Sequence, residues 1–249
     1  MTKREEVIVL YAVYWPDRRL SAGQWIAATH RFLKRLAELS PAFADPKWEG
    51  HGGSVVLPSD PEQYEARAME YLRNPRDRYE NPGGSDRSFT SGSAISRGYV
   101  MVAKFADPRV GMSLRAGGYE LGRTPNRVVL EVMPGLEEFR RNDGRARQLL
   151  GLMAEIWEPV FGVCTNHEVA EALDQQLDHV NFGAINYFSD ARAGDRVMHS
   201  ELVAPAAHGG VFVYTPSVSL TATDPMALRP AFKRLLAAGL LHWGRNKHA

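Results

Sequence analysis

Few stretches of this chain carry residue types spaced for chemistry. His167-Glu168 opens the zinc-hydrolase helix pattern, in which a second histidine four residues after the first completes the metal grip, but that place is taken by Glu171. His51-Gly52-Gly53 has the composition of an oxyanion loop, yet no GxSxG elbow supplies a serine for it to serve. Neither GxxxxGK[ST] nor GxGxxG occurs, so the two usual glycine-rich phosphate cradles are missing and nucleotide hydrolysis is disfavoured. The single cysteine, Cys164, lies near an expected helix junction, where a thiolate is sometimes stabilised; its apolar setting also suits an inert packing thiol. Asp45-Pro46-Lys47 pairs a carboxylate with a lysine as nucleases do, but in a proline-broken loop and not on a strand. The other histidines are scattered without ligand spacing. No catalytic set, metal or cofactor is expected, and the chain reads as a protein that is not an enzyme.

The most suggestive feature is a charge asymmetry. Between Gln148 and Ala191 there is no lysine or arginine, while Glu155, Glu158, Glu168, Glu171, Asp174, Asp178 and Asp190 fall inside that window. These carboxylates are either a solvated helix face or a surface that meets a basic partner. Tryptophans supply large contact area at low entropic cost. Trp25 and Trp157 lie on apolar helical faces and suit the core, whereas Trp15 and Trp48 sit beside turns and are candidates for either core packing or partner anchoring.

The elements that would position these groups can be read from periodicity. An apolar, aromatic run up to Trp15 suits a buried first strand, broken at Pro16. Ser21 with Gln24 three residues later forms a capping-box pattern, and Trp25, Thr29, Phe32, Leu33, Leu36 and Leu39 then share one helical face until Pro41. Asp60-Pro61 starts a second helix that ends before Asn74-Pro75. Residues 74–93 read as a long exposed loop. Strands are expected around Tyr99–Val102, Val110–Leu114 and Val128–Val132, and again within Val180–Phe188 and Gly210–Tyr214. Further helices are expected from Asp143, from His167 to Asp178, and from Asp224-Pro225. The expected fold class is α+β: a largely antiparallel sheet packed against long amphipathic helices, in one domain over residues 1–249 or two closely packed halves joined near 74–93.

Composition agrees with a globular chain: 249 residues, 44% hydrophobic and 24% charged. No stretch approaches the roughly 20 apolar residues of a membrane helix, so a helical transmembrane reading is excluded. With a net charge of +1 the molecule offers nucleic acid little non-specific attraction. One cysteine forms no internal disulfide, which fits a reducing compartment, and a cytoplasmic location is expected.

Three motifs carry a resemblance. LAELSPAFADPKWEG from Leu36 to Gly50, IWEPVFG from Ile156 to Gly162, and LLAAGLL from Leu235 to Leu241 together resemble the immunity protein 52 family of bacterial polymorphic-toxin immunity proteins. The resemblance implies a protein that neutralises a cognate nuclease toxin of restriction-endonuclease-like fold by stoichiometric blocking, in a setting such as type VI secretion. On that reading the acidic residues and Trp15 and Trp48 would bind the toxin, because a nuclease cleft needs positive charge to hold phosphates. Two alternatives remain: a hydrolase whose site is assembled from distant residues around His51, and a secretion adaptor that carries an effector without inhibiting it.

Overall fold

The structure, a computed structural model, describes residues 7–50, 53–73, 89–119, 125–173, 181–194, 203–214 and 225–242. In chain order the elements are β1 (Val9–Trp15), α1 (Ala22–Leu39), β2 (Lys47–Gly50), β3 (Gly53–Val56), α2 (Pro61–Leu72), β4 (Tyr99–Lys104), β5 (Val110–Ala116), β6 (Asn126–Val132), α3 (Glu137–Arg140), α4 (Asp143–Trp157), β7 (Phe161–Asn166), α5 (His167–Ala172), β8 (Ile185–Phe188), α6 (Asp190–Ala193), β9 (Val203–Pro205), β10 (Val211–Tyr214) and α7 (Arg229–Ala237). Ten strands hydrogen-bond in the order β3-β2-β4-β5-β6-β1-β7-β8-β10-β9. The pairs β2·β3, β2·β4, β4·β5, β7·β8, β8·β10 and β9·β10 run antiparallel.

This sheet overturns the expected picture of long amphipathic helices packed on a sheet. Ten strands join in one sheet, and among the described residues only α1 and α4 exceed twelve residues. Four strands were absent from the expected elements: β2, β3 and β9, whose three or four residues are too few to display alternation, and β7, whose six residues are all buried and so do not alternate. Lys47 therefore opens a strand where a loop was expected. The helix expected from Asp224 is instead a 3-10 turn over Pro225–Leu228 followed by nine α-helical residues, and Asp224 itself lies outside the described residues.

The chain divides into two compact units. The amino-side unit comprises Val13–Glu131 and Glu155–Glu158; the carboxy-side unit comprises Met1–Ala12, Val132–Ala154 and Pro159–Ala249. Most of the expected 74–93 junction lies outside the described residues.

In the amino-side unit, Ser21 accepts from the Gln24 N–H (3.2 Å) while the Gln24 side chain accepts from the Ser21 N–H (2.9 Å), completing the capping box. The apolar stripe of α1 is buried: Trp25 lies 5.6 Å from the Trp48 ring and 5.4 Å from Tyr99. Trp48, Ala103 and Met112 follow one another across β2, β4 and β5 on the same buried face. Glycine is required at Gly50, where a Cβ would lie 2.1 Å from the Tyr71 hydroxyl. That hydroxyl donates to the Gly53 carbonyl at 2.7 Å. Buried Asn126 donates to the Pro16 and Gly118 carbonyls and accepts from the Gly118 N–H, satisfying turn groups that would otherwise be orphaned.

In the carboxy-side unit every residue of β7 and β8 is buried, so these strands are covered on both faces. Asn142, one residue earlier than the expected Asp143, caps α4 by accepting from the Arg145 N–H at 3.0 Å. At the end of α7, Gly239 (φ +73) turns left-handed, Gly239 N–H donates to the Leu236 carbonyl and Leu240 N–H to the Leu235 carbonyl. This Schellman closure stops the helix and lets Leu240 and Leu241 bury. Arg192 grips the chain just beyond, donating to the Leu240 and His242 carbonyls at 2.7–2.9 Å.

Arg140 is 1% exposed; it donates to the Val7 carbonyl (2.8 Å) and to Glu137 (2.5 Å). Burial pushes the Glu137 carboxyl up, but Arg140 and Arg141 outweigh it and hold the group below the ordinary carboxylate value. A depressed folded pKa contributes stability above the unfolded value that is lost as pH falls through the folded one. Glu137→Gln is expected to lower stability by about 0.5–1 kcal/mol at pH 7, because its carboxylate is half-exposed and solvent screens the pair. The difference from the parent should shrink below about pH 4, as checked by urea titrations at both pH values.

Candidate functional site

Two of the acidic and aromatic candidates, Trp15 and Glu158, meet in the amino-side unit. Pro16 ends β1, and Arg18 N–H donates to the Gly118 carbonyl at 2.9 Å, which fixes the turn that follows Trp15. Trp15 stacks on Trp157 with centroids 5.5 Å apart and planes 13° from parallel, and Phe32 meets Trp157 edge-on at 5.9 Å. The Arg18 guanidinium lies 5.4 Å over the Trp15 ring. It donates through Nη2 to the Trp157 carbonyl (2.8 Å) and through Nη1 to the Glu158 carboxylate (3.2 Å). Burial pulls the Arg18 guanidinium below its ordinary value, with Glu158 opposing that shift. It thus closes the C-terminus of α4, whose last carbonyls attract a cation. Glu158 has φ +45, the left-handed conformation that glycine more often supplies at a helix end.

Glu155 is held by Arg35, whose Nη1 and Nη2 donate to the two carboxylate oxygens at 3.0 and 3.4 Å. The stretch that lacks cations in sequence is therefore met by cations in space. Arg18 and Arg35 are the residues that sequence reasoning missed. Both were visible, one in the Asp17-Arg18-Arg19 turn and one on the polar face of α1, but nothing local tied them to carboxylates some 120–140 residues away.

The two tryptophans proposed as anchors are in the core. Trp15 and Trp48 are each 1% exposed, so neither presents area to a partner in this structure. Trp48 packs between Trp25 and Tyr71, 4.4 Å from the latter ring. Its strand, absent from the expected elements, turns the indole inward.

In the carboxy-side unit, α5 carries Glu168 half-buried in its first turn and Glu171 exposed. Asn166 caps this helix, accepting from the Val169 N–H at 3.0 Å. Asp174 and Asp178 lie outside the described residues, as does His51. Among the described residues, no group of three or more His, Cys, Asp or Glu side chains is placed to hold a metal ion. Cys164 sits inside β7 and not at a helix junction. Burial pushes its thiol far above the ordinary thiol range, only partly opposed by a hydrogen bond with Tyr11. The Tyr11 hydroxyl, itself raised chiefly by burial, donates to the Phe139 carbonyl.

No family model matches the chain, and no curated protein matches it. Among solved structures the fold is similar to that of a Pseudomonas aeruginosa T6SS protein, PA0821. The TM-score is 0.53 at 13% identity, over 95% of this chain and 73% of that one. At this identity the likeness is one of fold. The immunity protein 52 resemblance stands on its three motifs alone, and their roles in this structure are structural: the end of α1 with β2, the end of α4, and the Schellman closure of α7. No helix among the described residues is long and apolar enough to cross a membrane.

Three outcomes test this geometry. Cys164 should resist a thiol reagent in the folded protein at pH 8 and react fully once guanidinium unfolds it, read by absorbance. Glu158→Gly should raise stability by about 0.5–1 kcal/mol by relieving the left-handed backbone, because the lost pair to Arg18 is exposed on the glutamate side and worth little. Arg18→Ala should lower stability by about 1–2 kcal/mol. Thermal melts distinguish the two.

Proposed function

We propose that this chain is a non-catalytic immunity protein that binds a cognate nuclease toxin, encoded beside it, and blocks it stoichiometrically inside the producing cell. The observation that carries the reading is the fold likeness to a T6SS protein over 95% of the chain. The three motifs that resemble immunity protein 52 proteins narrow that reading to immunity. Exposed Glu171 and half-buried Glu168 supply carboxylates on α5 that suit a basic nuclease cleft. By contrast, Glu155 and Glu158 already meet arginines of their own chain, so α5 is the better part of the acidic stretch for a partner.

A blocking complex of ordinary size would bury about 1,600 Å² in total. Acidic steering would raise association toward about 10⁸ M⁻¹s⁻¹ at low salt. Glu168→Lys with Glu171→Lys is expected to weaken the complex with the neighbouring gene product at least tenfold and to flatten its salt dependence, with circular dichroism unchanged. Co-expression with that product should restore growth. Continued killing, or turnover of nucleic acid by the isolated chain, would sink the proposal.

A further inference from the structure

The two ends of the sheet are finished differently. Antiparallel strands alternate between residues that bond the neighbouring strand and residues that turn their N–H and C=O away from it. In β9 the Ala206 N–H donates to the Gly210 carbonyl at 3.0 Å, in the register that pairs Ala204 with Phe212, so the residues turned away are Val203 and Pro205. A proline has no N–H to offer, which is one way a sheet edge is blunted. β3 carries no such guard. The Leu57 N–H donates to the Pro46 carbonyl at 3.0 Å, so the bonded rows of β2 and β3 are Pro46 with Leu57, Trp48 with Val55 and Gly50 with Gly53. Ser54 and Val56 therefore point their N–H and C=O groups outward, and among the described residues no strand lies beyond them.

The edge strand itself, GSVV, holds neither a charge nor a proline, and Val56 is 60% exposed. Its two outward residues are separated by one, which makes the edge self-complementary. When a second copy runs antiparallel to it about a twofold axis through Val55, Ser54 faces the Val56 of that copy and Val56 faces its Ser54, each pair exchanging two N–H···O=C bonds. Val55 then stands opposite its own copy. On the other face the two Val56 side chains become diagonal neighbours and cover apolar area that the single chain leaves to solvent. Charge agrees with this register. Lys47 pairs with Val56 and Glu49 with Ser54, so each row that crosses the axis runs from a lysine on one copy to a glutamate on the other.

We propose that the β3 edge receives the β3 edge of a second copy of this chain, antiparallel, so that the sheet of the amino-side unit continues across a twofold axis. The partner is the chain itself, so every group that the pairing needs is already described. A ribbon of four residues lies at the low end of interface size, and the dimer is accordingly weak and concentration-dependent. The pairing is independent of the toxin reading.

Sedimentation velocity of the full chain, from low to high micromolar concentration, should show a monomer–dimer equilibrium. Val56→Lys sets a second lysine beside Lys47 and opposes its own copy across the axis, so it should weaken dimerisation at least tenfold. The side chain is at the surface, and the melt should stay within a few degrees of the parent. Val55→Cys should form an intermolecular disulfide under mild oxidation, because opposed residues of a non-bonded pair have Cα atoms about 4.5 Å apart, within disulfide reach. Val102→Cys, exposed on β4 in the interior of the sheet, should not, and the native Cys164 is buried. A chain that stays monomeric throughout, with Val55→Cys crosslinking no faster than Val102→Cys, overturns the proposal. So does a dimer that Val56→Lys leaves intact, which would use another surface. If Val56→Lys instead weakens only the complex with the neighbouring gene product, the edge takes a foreign strand and the self-pairing is wrong.

Discussion

The stack of Trp15 on Trp157 fastens the end of β1 to the end of α4 across some 140 residues of chain. Closing a loop of that length is entropically unfavourable, but the cost grows slowly, by about 0.6 kcal/mol for each doubling. Burial of two indoles removes about 150–250 Å² each from water, worth several kcal/mol at about 25 cal/mol/Å². The contact is therefore strong enough to hold residues 155–158 in the amino-side unit. Arg18 finishes the arrangement by covering Trp15 and donating to the Trp157 carbonyl at the negative end of the helix.

The same arrangement changes the meaning of the acidic stretch. A window without lysine or arginine looks like a uniform negative surface when read along the chain. In three dimensions Glu155 and Glu158 belong to arginine pairs, whereas Glu168 and Glu171 belong to a short helix of the other unit. Clustering along the chain and clustering in space are different properties, because tertiary contacts bring in counter-charges from any distance. The tryptophans teach the same lesson from the apolar side. A turn beside Trp15 and an unrecognised strand under Trp48 both direct the ring inward, where its area contributes to folding.

The two units solve the problem of a sheet differently. Strands β7 and β8 are buried on both faces, and their sequences, FGVCTN and INYF, read as continuous runs. Strands β4, β5 and β6 alternate, with a buried face made of Met101, Leu114, Leu130 and their neighbours and a face left to solvent. An alternating strand is the signature of a one-sided sheet.

Local rules carried much of the reading by sequence alone. The capping box at Ser21, the Asp60 cap, the stop at Pro41 and the buried stripe of α1 all depend on neighbours within a turn or two, so they are legible from spacing. Strands β4 to β6 were legible for the same reason, each being long enough to show a period of two. Strand order, the joining of ten strands in one sheet and the inward turn of Trp48 were decided only by tertiary structure. So were the arginines that meet Glu155 and Glu158. Each is a relation between residues far apart in the chain, settled by which faces exclude water together, and no local spacing encodes it.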